Sequence, residues 1–193
     1  MANNDDIKQA AFHLFATKGY ESTSMQEIAQ AVGLKKQSLY SHFTGKQELY
    51  ALILREQTKI IMSELLIAVD RLENEPVEAL FKGIFECLIE IFSYKDRLLL
   101  WKRGFMVHGE TEAPAITSQP EWHFDRKLWD RLYNIVRAKH DKLSRPEPFR
   151  SFFLSYMLSI QGYFDWMIAM GHSKDMFESF WKNIWHGINK YID

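Results

Sequence analysis

The apolar residues at the start of the chain recur at the spacing of a buried helix face. The i, i+3, i+4, i+7, i+8 pattern, which places side chains on one side of a helix, is followed by Ile7, Ala10, Ala11, Leu14 and Phe15. Gly19 comes shortly after this stretch, and glycine commonly ends a helix. The pattern therefore predicts a first helix that ends close to Gly19.

Two short helices are predicted to follow. Ser24-Met-Gln-Glu27 matches the capping-box pattern that opens a helix, and Gly33 is expected to close that helix after about two turns. A third helix is expected from about residue 35 to residue 43, with Leu39 and Phe43 pointing inward together. Two short helices joined by a tight glycine turn, with a third helix bracing them, form a helix-turn-helix.

The rest of the chain carries longer helical patterns. Thr44-Gly-Lys-Gln47 is a second capping-box match and is expected to open a helix over 45–72, with Leu49, Leu52, Ile53 and Ile60 inward. Further helices are predicted over 76–94, 97–108, 122–141, 147–170 and 174–192. No segment has a convincing strand pattern. We therefore predict an all-α fold with a three-helix helix-turn-helix domain at 1–46 and a second helical domain at 47–193.

Composition and charge narrow the classes of function. The chain has 193 residues and a net charge of −1, so any nucleic-acid binding must come from a local basic patch. Cys87 is the only cysteine, which excludes an internal disulfide. No apolar run approaches the ~18 residues that span a bilayer, and the acidic start of the chain does not fit a signal peptide. These features favour a cytoplasmic protein without a membrane partner.

The sequence lacks the motifs of common catalytic sites. It contains no Gly-x-Ser-x-Gly, no Gly-rich phosphate loop and no His-Glu-x-x-His. The seven histidines are scattered, with none three or four residues from another, which argues against a helical metal site built from histidines. We therefore predict that the protein is not an enzyme and uses neither a cofactor nor a metal.

The predicted third helix has a polar outer surface, and we call residues 34–43, LKKQSLYSHF, the recognition segment. Lys35 and Lys36 lie in its first turn, where free backbone N–H groups also attract phosphate. Gln37 can pair with adenine in the major groove, and Ser38 and Ser41 are also suited to base edges. The alternative interpretation is a solvated helix face that is polar for no functional reason.

Several motifs within residues 7–54 coincide with those of a known family. They are Ala-Ala…Leu-Phe…Lys-Gly-Tyr in the first helix and its end, Thr-Ser-Met…Glu-Ile-Ala in the second, and Ser-Leu-Tyr-Ser-His-Phe with Lys46 after it. This part of the chain resembles the DNA-binding domain of the tetracycline-repressor (TetR) family. The resemblance implies a ligand-responsive transcriptional repressor that binds a palindromic operator as a homodimer.

The residue chemistry and the resemblance together give one set of DNA-binding candidates. By resemblance, Ser24 approaches a phosphate or a base edge, and Lys46 holds a phosphate. His42 lies nearer the inward side of the helical wheel, so a packing role stays open. Lys35 stands where the family commonly has a capping serine, and Gln37 where it has a small residue or proline. The full set is Ser24, Gln26, Lys35, Lys36, Gln37, Ser38, Tyr40, Ser41, His42 and Lys46.

The last two predicted helices carry apolar residues on long stripes. On the helix over 147–170, Leu154 and Leu158 lie on a different side from the main stripe, and such a helix must be covered from more than one direction. The resemblance implies that these helices form a four-helix bundle with their symmetry mates, and the alternative is that they close the core of a monomer. The predicted interface residues are Phe152, Tyr156, Phe177, Trp181, Ile184, Trp185 and Ile188.

All six tryptophans lie after residue 100, and four of them, Trp101, Trp122, Trp129 and Trp166, lie in segments that by resemblance surround an effector cavity. Aromatic walls with few polar groups suit a small apolar or aromatic molecule, and a buried Asp165 would favour a cationic one. The ligand candidates are Trp101, Phe105, Trp122, Trp129, Tyr133, Gln161, Tyr163, Asp165 and Trp166. Plain core packing is the alternative for the aromatic residues. The alternative for the whole chain is a helical small-molecule-binding or interaction protein without a DNA function.

Overall fold

The computed structural model describes residues 2–106, 126–140, 146–170 and 176–192. Within these ranges the chain is helical and contains no strand, which confirms the predicted all-α fold class. The helices are α1 (Asn4–Lys18), α2 (Met25–Ala31), α3 (Lys36–Leu39), α4 (Lys46–Leu72), α5 (Val77–Ile91), α6 (Lys95–Met106), α7 (Arg126–Lys139), α8 (Pro146–Met170) and α9 (Phe177–Ile188), and a 3-10 turn follows at Asn189–Tyr191. In the part of the chain that the structure describes, no helix is both long and apolar enough to cross a membrane.

Capping boxes start the first two helices. The predicted box on α2 is confirmed, because the Ser24 N–H donates to Glu27 Oε2 at 2.9 Å and the Glu27 N–H donates to Ser24 Oγ at 3.2 Å. The structure also has a capping box on α1, which was not predicted from the sequence. There the Asn3 side chain accepts the Asp5 and Asp6 N–H groups, and the Asp6 carboxylate accepts the Asn3 N–H at 2.8 Å. Both starts satisfy N–H groups that a helix leaves without internal partners.

The start of α4 uses a different residue from the predicted one. The Thr44 N–H and hydroxyl both donate to Glu48 Oε2 at 2.6 Å, so Glu48 rather than Gln47 provides the reciprocal contact. The physical reason is that α4 begins at Lys46, which places Glu48 in the third helical position. The carboxylate of a residue at that position can reach back to the chain that enters the helix.

The chain forms two compact units, each assembled from two stretches of sequence. The described part of the first unit is 2–63 and 94–106. Helices α1 to α3, the beginning of α4 and one face of α6 enclose its core. The core residues are Ile7, Ala11, Phe12, Phe15, Ala16, Met25, Ile28, Ala29, Leu39, Phe43, Leu49, Tyr50, Ile53, Leu54 and Leu100. The predicted boundary after residue 46 encloses the helix-turn-helix alone, and the compact unit is larger.

Helix α6 binds the end of α1 through directed polar contacts. Arg103 Nε donates to the Ala16 carbonyl at 2.9 Å, and Arg103 Nη2 donates to the Thr17 carbonyl at 2.8 Å. These carbonyls belong to the last turn of α1, where helix carbonyl groups lack internal partners. His13 Nδ1 and Asp96 Oδ2 also pair at 2.7 Å. An arginine distant in sequence therefore caps the first helix.

The second unit has an aromatic core. Its described part is 64–93, 126–140, 146–170 and 176–192. Phe85 of α5 lies 5.9 Å from Tyr156, 5.5 Å from Tyr163 and 5.3 Å from Phe177, measured between ring centroids. The buried Tyr156 hydroxyl donates to the Phe81 carbonyl at 2.8 Å. Rings at these distances and angles pack edge to face and fill the space between α5, α8 and α9.

Helix α4 contributes to both units but has no buried side chain over residues 55–64. Its buried residues are Leu49, Tyr50, Ile53, Leu54, Leu65, Ala68 and Val69. Ile60, predicted to point inward, is 38% exposed. Ile60 lies on the same face of α4 as Ile53, but α4 has no buried side chain over residues 55–64. The prediction that Ile60 points into a core is therefore wrong.

Candidate nucleic-acid interface

The recognition segment is presented by a glycine turn and two buried anchors. Gly33 has φ +69°, in the left-handed region that favours glycine, and the turn is closed by the Leu34 N–H, which donates to the Ala29 carbonyl at 2.8 Å. Leu39 and Phe43 are buried in the core of the first unit. Leu34 is half-buried and packs against the same core, so the segment has a fixed inner side, and its other side chains are exposed.

Helix α3 is shorter than the predicted span of 35 to 43. It covers Lys36–Leu39, and hydrogen-bonded turns continue the segment as the His42 N–H donates to the Leu39 carbonyl at 3.0 Å. Lys35 occupies the N-cap position and makes no side-chain cap hydrogen bond, as predicted. Loss of a side-chain cap costs about 1 kcal/mol in helix stability. The absent cap is consistent with so short a helix.

The predicted DNA-binding side chains gather on exposed surface. Lys46 is half-buried, and Tyr40 is 47% exposed with the Lys36 Nζ atom 6.0 Å from its ring centroid. The exposed members are Ser24, Gln26, Lys35, Lys36, Gln37, Ser38, Tyr40, Ser41 and His42. A surface of this composition offers cations for phosphates together with amide and hydroxyl groups for base edges.

The hydroxyl groups of Ser24 and Ser41 are already engaged within the chain. Ser24 Oγ donates to Glu27 Oε2 at 2.9 Å, and Ser41 Oγ donates to the Ser38 carbonyl at 2.7 Å. A hydroxyl has one proton to donate, and a phosphate oxygen can only accept. In this arrangement, both serine oxygens are better suited to accept from a base amino group than to bind a phosphate.

Two carboxylates close to this surface are held by neighbouring groups. Glu27 accepts from Lys18 Nζ at 2.8 Å as well as from Ser24, and these hydrogen bonds, led by that of Lys18, lower the pKa of Glu27 to about 2. The hydroxyl and N–H of Thr44 lower the pKa of Glu48. Both acids are therefore ionised at neutral pH, and the contacts with Lys18 and Thr44 hold them in defined positions.

Lys46 is positioned by Tyr20. The Lys46 Nζ atom donates to the Tyr20 carbonyl at 3.0 Å and lies 4.1 Å from the centre of the Tyr20 ring. The Tyr20 ring in turn packs on Tyr50 at a centroid distance of 4.8 Å. A lysine has three N–H donors, so two remain for a phosphate. The role of Tyr20 was not predicted, although the Lys-Gly-Tyr motif marks its position.

His42 is exposed, and its ring is held from another helix. The Nδ1 atom lies 2.5 Å from Oδ1 of Asn4, the first residue of α1. The packing role that was left open for His42 does not fit its exposure. Asn4 was absent from the sequence prediction, because no local signal connects the start of α1 to a position 38 residues later.

The predicted dimer residues belong mostly to the core of a single chain. Most of these side chains pack against Phe81 and Phe85 of α5 within the same unit, so the assignments of the buried members to an interface are corrected. The buried members are Phe152, Tyr156, Phe177, Trp181 and Ile188, whereas Ile184 and Trp185 are half-buried. On α8 the exposed apolar residues lie on the other side, with Leu154 61% and Leu158 64% exposed.

Several predicted ligand residues pack against core rings. Tyr163 is buried and contacts Phe180 at a centroid distance of 4.8 Å, and Trp129 contacts Phe149 and Phe153 at 4.9 and 4.8 Å. Tyr133 also contacts Phe149 at 5.4 Å. The half-buried candidates are Trp101, Trp129, Tyr133, Gln161 and Trp166.

Two further observations limit the ligand prediction. Asp165 is exposed, so it is not the buried carboxylate that a cationic ligand was expected to meet. Trp122 and the side chain of Phe105 lie outside the described residues.

The described parts of the chain contain no group of three His, Cys, Asp or Glu side chains able to hold a metal ion. Burial raises the pKa of the half-buried Cys87 thiol, which disfavours the reactive thiolate.

Comparisons with known proteins agree with this geometry. Residues 7–53 match the family described as bacterial regulatory proteins, tetR family. The biofilm operon icaADBC HTH-type negative transcriptional regulator IcaR of Staphylococcus epidermidis is 30% identical over 146 residues, which are 74% of this chain and 74% of that protein. The IcaR protein of Staphylococcus aureus strain Newman is 31% identical over 90 residues, so the match spans 45% of this chain and just under half of that relative, 46%.

The fold also matches solved structures. A TetR family transcription regulator from Marinobacter aquaeolei VT8 superposes with a TM-score of 0.67 at 17% identity, covering 95% of this chain and 94% of that one. At this identity the similarity shows the shared helical fold. Together with the sequence match over residues 7–53, it places the helix-turn-helix within a fold that such regulators use.

Proposed function

Because this chain belongs to the TetR family of bacterial regulatory proteins, we propose that it is a transcriptional repressor that binds a palindromic operator as a homodimer and is released by a small apolar or aromatic effector. Members of this family are DNA-binding transcription regulators, which agrees with the prediction that the chain is not an enzyme. The sign of regulation is supported by the relatives from both Staphylococcus species, whose names describe them as negative regulators. A repressor of this kind acts on DNA in the cytoplasm.

The exposed recognition segment is the observation that carries the proposal. Its inner side is anchored by Leu39 and Phe43, and its outer side presents Lys36, Gln37 and Tyr40 to solvent. The lysines supply contacts to phosphates, which position a protein on DNA without regard to sequence. Gln37 is the candidate for base recognition, because its amide can accept from and donate to adenine at the same time.

The exposed side of α8 supports the homodimer. Leu154 and Leu158 lie four residues apart on one side, and Ile168 continues that side with 38% exposure. Exposed leucines in one row are typical of a surface that another chain covers. We therefore assign the interface to this side of α8, with the half-buried Ile184 as a candidate on α9. A twofold dimer would place two recognition segments about 34 Å apart, one turn of DNA.

Release by an effector requires coupling between two binding sites. An effector that favours the conformation without DNA weakens DNA binding by the same factor by which DNA weakens effector binding. Arg103 and Asp96 of α6 hold α1, so a displacement of α6 would reach the DNA-binding surface through α1. The half-buried Trp129, Tyr133 and Trp166 support an aromatic or apolar effector, since aromatic side chains that are not fully buried suit such a ligand.

The proposal is tested by selecting bound sequences from a random DNA pool. We expect the protein to enrich a palindrome, and the Gln37→Ala variant to lose preference at one base pair of each half-site, by about 1–3 kcal/mol. Gln9→Ala removes an exposed glutamine from α1 and is the matched control, which should keep the preference.

Failure to enrich any sequence, at low and at moderate salt, would contradict the proposal. That result would favour the alternative of a helical small-molecule-binding or interaction protein. A non-palindromic site, by contrast, would retain DNA binding and reject the twofold dimer. Effector release is tested separately, by asking which small aromatic compounds raise the dissociation constant of the selected DNA.

A further inference from the structure

We propose that Asn4 is a positioning residue that holds the proton of His42 on Nδ1 and thereby makes operator binding take up a proton. The inference rests on the proposed DNA-binding function and specifies how one contact of that surface is regulated. It concerns a pair of side chains from α1 and the recognition segment that the sequence did not connect.

In the proposed arrangement, the contact with Asn4 selects which ring nitrogen of His42 carries a proton. The Nδ1 atom lies 2.5 Å from the Asn4 carboxamide oxygen, which has lone pairs and no hydrogen. A hydrogen bond between them requires the proton to be on Nδ1. Asn4 is itself fixed as the first residue of α1, directly after Asn3, whose side chain caps that helix.

The position of this proton decides what the other nitrogen can bind. A neutral imidazole with its proton on Nδ1 has only a lone pair on Nε2. A phosphate oxygen also only accepts hydrogen bonds, so neutral His42 held in this way cannot bind a phosphate through Nε2. The imidazolium form has an N–H at both positions and a positive charge, which strengthens a hydrogen bond to phosphate. Contact with the DNA backbone through His42 therefore selects the protonated ring.

The neighbouring elements carry charges of both signs. On α1, Asp5 pairs with Lys8 at 2.9 Å, and the Asp6 carboxylate accepts the Asn3 N–H. The recognition segment contributes the exposed Lys35 and Lys36. At the start of α4, Lys46 binds Tyr20 and Glu48 binds Thr44. The group in direct hydrogen-bond contact with the His42 ring is the neutral amide of Asn4, and the DNA phosphate adds the negative charge that favours a second proton.

The experiment measures the dissociation constant of the selected operator by fluorescence anisotropy at constant ionic strength. The range runs from about pH 6 to about pH 8, across which histidine changes charge. Uptake of one proton in each half-site should weaken binding of the wild-type protein by about tenfold or more over this range. His42→Gln should give a flat profile, because a glutamine amide donates to phosphate at every pH.

Variants of Asn4 separate positioning from simple structural support. Asn4→Ala frees the ring to carry its neutral proton on Nε2, so pH dependence should fall and binding near pH 8 should become tighter than in the wild type. Asn4→Asp should extend tight binding to higher pH, because a carboxylate favours the imidazolium. His186→Gln, an exposed histidine of α9, is the matched control and should keep the wild-type profile. Thermal unfolding of each variant checks that the fold is retained.

Two outcomes would overturn the inference while leaving the proposed function intact. One is a wild-type profile that coincides with that of His42→Gln, and the other is an Asn4→Ala profile as steep as the wild type. Absence of any operator binding at either end of the pH range would instead reject the proposed function. The experiment therefore distinguishes a failure of the inference about Asn4 and His42 from a failure of the proposed DNA-binding function.

Discussion

The recognition segment and the outer side of α8 are both exposed in the single chain, and they differ in chemistry. The recognition segment presents lysines, a glutamine, hydroxyl groups and a histidine, all of which water solvates well. The outer side of α8 presents Leu154 and Leu158, each more than 60% exposed. Water solvates an apolar surface poorly, so covering it releases free energy without any directed contact.

The difference indicates what each surface binds and how that binding responds to conditions. Phosphate contacts displace counterions from DNA, so binding by the recognition segment should weaken steeply as salt concentration rises. Association through leucines depends on buried area and should tolerate salt. The same protein is therefore expected to show a salt-sensitive DNA complex and a salt-tolerant dimer, and each prediction below alters one surface without the other.

The largest effect is expected from the double substitution Leu154→Glu and Leu158→Glu. Each buried leucine contributes about 2 kcal/mol, and each new carboxylate would have to be desolvated. The dimer dissociation constant should rise at least about 100-fold, which sedimentation velocity would detect as a monomer. Ile67→Glu is the control, since Ile67 on α4 is 61% exposed, as Leu154 is. A double variant that remains dimeric would remove α8 from the interface.

A smaller effect is expected from Lys36→Ala in the recognition segment. Loss of one phosphate contact should reduce the slope of log affinity against log salt by about one for each recognition segment, and weaken binding to all sequences alike. Titrations of operator and unrelated DNA at several salt concentrations provide the measurement. Lys59→Ala removes an exposed lysine from α4 and should leave the slope unchanged. An unchanged slope in Lys36→Ala itself would mean that this lysine does not contact the backbone.

The smallest effect is expected on the stability of the protein, from replacing Glu27, the carboxylate that binds Lys18 and Ser24. The pKa of Glu27 is lowered to about 2, so its stabilising contribution is present above the unfolded-state value near 4.5 and is lost as the pH falls towards 2. Glu27→Gln should lower the urea midpoint at about pH 7, and the difference from the wild type should shrink steadily as the pH falls from about 4.5 through about 2. Glu21→Gln, in the preceding turn, should show no such convergence. A midpoint difference that is independent of pH would indicate that the charge of Glu27 is not the cause.

Features coded within a few residues were predictable from the sequence. The capping box of α2, the glycine turn at Gly33 and the buried anchors Leu39 and Phe43 are all present. The capping box and the turn depend on contacts between near neighbours, and the spacing of the two anchors along one helix face is enough to predict which way they point. The start of α4 shows the limit of such rules, because a shift of one residue exchanged Gln47 for Glu48 as the capping partner.

Features that join distant parts of the chain were not predictable. Periodicity identified Phe152 and Trp181 as members of apolar stripes but could not say whether the same chain or a second copy covers them, and both are core residues. The Asn4–His42 and Arg103–Thr17 contacts join residues far apart in sequence. Nothing in either local sequence specifies the other partner, so only the folded chain reveals them.

The composition of the first unit has a consequence for how such a protein is made and recombined. Because Leu100 completes its core and Arg103 caps α1, the ribosome must release the chain beyond α6 before this unit can close. A fragment that stops at residue 63 would lack both groups, although it contains the whole helix-turn-helix. A hybrid regulator made by exchanging only this unit between relatives, with residues 64–93 left in place, therefore needs three crossover sites in its gene, so that α6 travels with the helix it caps.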